Sequence, residues 1–127
     1  LRFQGYIFDL DGTVYLGDAL LPHAKETIAQ LREAGRQVLF LSNKPTEDRK
    51  AYADKLSRLG IDTHVHDVIN SSFVAALYFQ REMPQARIFV MGESVLVEEL
   101  QKVGLQMAKT PGDTDVVLIS LDRQLSY

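Results

Sequence analysis

The run Phe8-Asp9-Leu10-Asp11-Gly12-Thr13 places two carboxylates two residues apart, directly before a glycine. On an extended strand such residues point to the same side, roughly 7 Å apart, and a bend after Asp11 brings both onto one small ligand. Gly12 makes that bend easy, because glycine enters backbone conformations closed to other residues. Two carboxylates so close repel each other unless a proton or a cation lies between them. The pair is therefore read as an acid/base couple or as a hard-metal site. With Mg2+ present, one ionised carboxylate could attack phosphorus while the other carries a proton to the leaving oxygen and takes one back from water. D-x-D-G-T arises by chance in roughly one chain in a thousand of this length, so a plain turn or helix cap is the weaker reading.

A second cluster, Leu41-Ser42-Asn43-Lys44, ends another apolar run. A hydroxyl and backbone N–H groups at the start of a helix form an anion site, to which Lys44 adds positive charge. Phosphate suits it. Elsewhere the bland readings win. Met91-Gly92-Glu93-Ser94 reads as a tight strand-to-helix turn capped by Ser94. His64 and His66 lack a nearby third ligand and read as an exposed loop rather than a metal site. His23 beside Pro22 reads as a helix-entry residue, and the Tyr, Phe and Met side chains read as core, with Tyr15 and Leu16 also placed to shape the rim of the acidic loop.

These residues need a frame to position them. Tyr6 to Leu10 is a short apolar run that stops at Asp11-Gly12, as a buried strand does. Pro22 leads into a helix with Ala24, Ile28 and Leu31 on one face and Gly35 as its stop. A strand follows over 37–41. Thr46 is expected to cap the next helix, with Glu47 and Asp48 in its first turn, Tyr52, Leu56 and Leu59 inside, and Gly60 at its end. Then come a short strand at Val68-Ile69, a helix begun by Ser71 or Ser72 and closed before Pro84, and a strand over 87–91. A helix after Ser94 carries Leu96, Leu100 and Val103 and stops at Gly104, and a last apolar run spans 116–121. Five strands alternating with four helices predict an α/β fold: a three-layer, Rossmann-like parallel sheet with helices on both faces. Its ligands belong beyond the carboxyl ends of the strands.

The chain has 127 residues, 46% of them hydrophobic, which suffices for a single core over 1–127 without staples. There is no cysteine, so disulfides, thiolate metal sites and cysteine nucleophiles are excluded and a reducing compartment is compatible. Seventeen acids against fourteen bases give a net charge of −3, with no basic stripe to follow a nucleic-acid backbone. Neither a membrane-length apolar run nor a signal-peptide pattern is present, so the expectation is a cytoplasmic protein that contacts no membrane and no nucleic acid.

The segment Tyr-Ile-Phe-Asp-Leu-Asp-Gly-Thr at 6–13 resembles the first motif of the haloacid dehalogenase superfamily, and Leu-Ser-Asn at 41–43 resembles its second. Val14 to Asp18, Leu41 to Pro45, Val90 to Glu93 and Leu121-Asp122-Arg123 are similar to the NagD-like, p-nitrophenyl-phosphatase-type branch. The resemblance implies a Mg2+-dependent phosphate monoester hydrolase with an aspartyl-phosphate intermediate. It makes Asp9 the nucleophile and Asp11 the general acid/base. Gly12, Thr13, Ser42 and the Asn43 backbone would bind the phosphorylated substrate. Mg2+ would lie on the Asp9 side chain and the Asp11 carbonyl. The family's third motif, a lysine, its acidic fourth motif and its cap have no counterpart here, and neither Lys44 nor Lys109 stands at the matching position. The resemblance thus makes 1–127 the N-terminal half of a catalytic core, with the cap due to begin near 121–127. Implied partners are a small phosphorylated metabolite and either a second copy or the missing C-terminal half.

Three rival readings stand beside it. A receiver-type phosphoacceptor module fits the length, but its acceptor would end the third strand, where Asn70 stands. A dinucleotide-binding fold would show G-x-G-x-x-G where Asp-Gly-Thr is found. A catalytically incompetent phosphatase half, acting as a folded fragment or binding module, shares every residue with the enzyme reading.

Overall fold

The computed structural model describes residues 2–124. The strands are β1 (Gly5–Asp9), β2 (Tyr15–Leu16), β3 (Ala19–Leu20), β4 (Gln37–Ser42), β5 (Val68–Asn70), β6 (Arg87–Met91), β7 (Gln106–Met107) and β8 (Val116–Ile119). The helices are α1 (Ala24–Glu33), α2 (Arg49–Arg58), α3 (Ser71–Glu82) and α4 (Ser94–Lys102). The alternating α/β order is the expected one. So is the parallel α/β architecture, here as the ladders β1-β4-β5 and β7-β6-β8, with an antiparallel hairpin β2-β3 besides. The chain groups into two compact units, residues 1–42 with 49–69 and residues 43–48 with 70–127.

In the first unit the ladder runs in chain order, so each right-handed crossover brings its helix to the same face. Ile28 and Leu31 of α1 and Tyr52, Ala53 and Leu56 of α2 join Leu10, Val38, Phe40 and Val68 in one buried cluster. Alternation along the pleat turns Tyr6 and Phe8 toward that cluster and leaves Ile7, paired with Leu39, on the other face at 65% exposure. His23 enters α1 with a positive φ of 65°, directly after Pro22.

The second unit has its own cluster, built from Ala76 and Phe79 of α3, Leu96 and Leu100 of α4, and Ile88 of β6. Val117 and Ile119 of β8 point away from it, the latter 72% exposed. Arg87 opens β6 and grips Asp115, just before β8, through two guanidinium bonds of 3.0 and 3.1 Å and its backbone N–H at 2.9 Å. Those bonds hold the Asp115 carboxyl down at about 2. No helix among the described residues is long and apolar enough to cross a membrane.

Two helix starts differ from the sequence reading. α2 begins at Arg49 rather than at Thr46, so Glu47 and Asp48 lie ahead of it. In the loop 43–48 the Glu47 carbonyl accepts from Asn70 Nδ2 at 3.0 Å. In α4 the N-cap position is Glu93, whose side chain makes no capping bond, and Ser94 is the first helical residue. α3 starts at Ser71 as expected, and its cap is Asn70, whose side-chain oxygen accepts from the Phe73 N–H at 2.9 Å.

Candidate active site

Parallel pairing of β1 with β4 sets Asp9 opposite Leu41 at the carboxyl ends of both strands. Asp9 is therefore one residue from the register position of Ser42, and Asp11 lies two residues past it. Within the pleat Asp9 lies on the exposed face with Ile7 and Leu41, while Ser42, only 3% exposed, follows Val38 and Phe40 onto the buried face. A shared edge joins them, not a shared face, so a common ligand must sit beyond the strand ends, where groups from both faces converge.

After β1 the chain folds back at once. The Leu10 carbonyl accepts from the backbone N–H of Thr13 (3.2 Å), Val14 (2.9 Å) and Tyr15 (3.2 Å), and Gly12 donates to the Tyr15 carbonyl at 2.8 Å. Gly12 takes φ +80°, open to glycine at no steric cost, and an added Cβ there would touch nothing within 4 Å. This hook anchors Leu10, Val14 and Tyr15 in the core and holds Asp11 half-buried beside them. It also engages the amides of Gly12 and Thr13 within the turn, which leaves the exposed Thr13 hydroxyl as that residue's group for a ligand.

Asp9 is exposed, and among the described residues no side chain hydrogen-bonds or ion-pairs with its carboxylate. The oxygen donors present here, two carboxylates and the strand-end carbonyls, suit Mg2+ in kind. They fall short of a full shell: among the described residues no three His, Cys, Asp or Glu side chains are gathered to hold a metal ion.

Ser42 and Asn43 are not at a helix start, because α2 begins six residues beyond Asn43. The loop between is held from α3, where Ser71 Oγ donates to the Asn43 carbonyl at 3.2 Å and Asn70 Nδ2 to the Glu47 carbonyl. Sequence reasoning missed both residues. Asn70 as a helix cap was legible, but its bond to a carbonyl 23 residues earlier was not. It also missed Glu93, which receives Arg123 through the Nε (2.6 Å), the second guanidinium nitrogen (2.8 Å) and the backbone N–H (3.2 Å). The guanidinium of Arg123 holds the Glu93 carboxyl below its ordinary range. His64 and His66 are exposed and stacked on each other, with ring centroids 5.3 Å apart.

The chain is similar to known proteins along nearly its whole length. The profile of the haloacid dehalogenase-like hydrolases matches residues 6–106. The sugar-phosphatase AraL of Bacillus subtilis is 39% identical over 123 residues, covering 97% of this chain and 45% of that protein. The chloroplastic phosphoglycolate phosphatase 1A of Arabidopsis thaliana is 36% identical over 112 residues, 87% of this chain and 31% of that protein. The solved p-nitrophenyl phosphatase from Archaeoglobus fulgidus superposes with a TM-score of 0.88 at 27% identity, covering 98% of this chain and 47% of that one. The chain spans less than half the length of each of these three.

Proposed function

Since the chain belongs to the haloacid dehalogenase-like hydrolases, we propose that it carries the nucleophile-bearing part of a phosphate monoester hydrolase acting on a small phosphorylated metabolite. The observation that carries this reading is the Asp9–Leu41 register, with an exposed carboxylate and Ser42 at one carboxyl edge of the β1-β4 ladder. A cytoplasmic site of action belongs to the same reading, and the absence of cysteine is compatible with it.

An Asp9 carboxylate oxygen attacks phosphorus as the bond from phosphorus to the leaving oxygen breaks, giving an aspartyl phosphate. The Asp11 carboxyl gives its proton to that oxygen, which departs as an alcohol. Asp11, now ionised, takes a proton from water. The resulting hydroxide attacks phosphorus, breaking the bond to Asp9 and releasing inorganic phosphate. The Ser42 hydroxyl and the Asn43 backbone hold the phosphoryl oxygens throughout, while Gly12 and Thr13 shape the hook that presents Asp11. Mg2+, held by the Asp9 carboxylate and the Asp11 carbonyl, would neutralise charge between nucleophile and phosphoryl group. With only part of an octahedral oxygen shell available, residues 1–127 alone are expected to bind Mg2+ weakly and to turn over poorly.

Hydrolysis of p-nitrophenyl phosphate with added Mg2+, by the full translated product and by its Asp9→Asn variant, tests the proposal. Turnover that falls by about a thousandfold or more in the variant supports it. A full product with no turnover sinks it.

A further inference from the structure

We infer that Asn70 and Ser71 are positioning residues for phosphate binding: a two-point clamp on the loop 43–48. The inference rests on the phosphatase reading above. Two consecutive residues at the start of α3 each hold one carbonyl of that loop, Ser71 near its beginning (Asn43) and Asn70 near its end (Glu47). All four residues lie within the second compact unit, so the segment bonded directly to Ser42 is organised by that unit's residues.

The bond at Asn43 has a directional consequence. A trans peptide is planar, with its carbonyl and N–H pointing oppositely, and no cis bond occurs here. Turning the Asn43 carbonyl toward Ser71 therefore turns the Lys44 N–H away from α3. One hydroxyl thus sets the orientation of the peptide that follows the proposed phosphate contact. At the other end Asn70 is fully buried and uses both ends of its amide, the oxygen to cap α3 and the nitrogen to hold the loop. A buried amide with both ends satisfied tolerates little displacement, because any shift strands a donor or an acceptor away from water. Pro45, buried between the two anchors, restricts the loop further.

The two anchors can be cut separately. Ser71→Ala removes only the Asn43 bond from an exposed position, and Ser71→Thr retains a hydroxyl. Asn70→Asp keeps the capping oxygen and loses the donor to Glu47. The probe is inorganic phosphate with Mg2+, titrated into the full chain and followed by backbone amide shifts, with melting temperature measured in parallel. The expected result is phosphate binding about 3- to 10-fold weaker in Ser71→Ala at unchanged melting temperature, the size of one lost hydrogen bond. The Lys44 amide shift should be altered, and binding should return to within about twofold in Ser71→Thr. Asn70→Asp should weaken binding with the α3 amides still protected. Wild-type affinity in Ser71→Ala overturns the clamp and leaves the phosphatase reading standing. A wild-type chain that takes up no phosphate overturns both, before any variant is made.

Discussion

At the end of β6 the Glu93 carboxylate is closed off by Arg123 through three hydrogen bonds, whereas at the end of β1 no described side chain pairs with the Asp9 carboxylate. Both acids stand where a parallel strand gives way to a loop. The first is a structural tie: its charge is spent on a guanidinium that fixes the chain after β8 to the start of α4. The second is exposed and uncommitted, held in register with the Ser42 strand by five paired positions of backbone. An acid at a strand end is thus no site by itself, and what distinguishes the two is whether the chain supplies its own counter-charge.

The contrast can be broken most forcefully by neutralising each acid in turn. Asp9→Asn is expected to abolish p-nitrophenyl phosphate hydrolysis, by about a thousandfold or more, while Glu93→Gln retains turnover within a few-fold. Equal losses in both would erase the distinction.

The two apolar clusters offer a sharper version of the same comparison. Leu56→Ala in the first and Leu100→Ala in the second each empty a fully buried site and are expected to cost about 2–5 kcal/mol. Hydrogen exchange should show protection lost chiefly in β1 and β4 for the former and in β6 and β8 for the latter. Smaller still is Gly12→Ala. Nothing lies within 4 Å of the added Cβ, so only the φ of +80° is penalised, by about 1–2 kcal/mol, read as a modest drop in melting temperature.

The smallest effect is a pH dependence. Asp115 is held down to about 2 by its bonds to Arg87. Its contribution to stability is complete above the ordinary carboxylate value of about 3.9 and is lost as pH falls through about 2. Unfolding midpoints taken from pH 5 to pH 2 should therefore fall more steeply in the wild type than in Asp115→Asn. The pair is exposed, so the difference should be slight and should shrink with added salt.

Much of this frame was legible in advance because it rests on short-range pattern. The spacing of Ile28 and Leu31, and of Leu96 and Leu100, announced α1 and α4, and the acidic pair announced the end of β1. The hairpin β2-β3 was passed over although Gly17-Asp18 between apolar neighbours is a turn signal, because two-residue strands leave no periodicity to count. The late start of α2 was hidden for a different reason. Thr46, Glu47 and Asp48 make a good first turn by local propensity, and the bond from the distant Asn70 amide to the Glu47 carbonyl is not written in that local pattern. The Glu93–Arg123 tie likewise joins residues 30 apart in sequence. Nor does residue order reveal that α1 and α2 gather with one cluster and α3 and α4 with another.

The claim on which the rest depends is that Asp9 itself accepts the phosphoryl group. Acid quenching of the full product during turnover with Mg2+, followed by peptide mapping, tests it directly. The account predicts one phosphoryl group on the peptide carrying Asp9, absent in Asp9→Asn. A label found on Asp11 or Ser42 instead, or turnover that persists in Asp9→Asn, would contradict it.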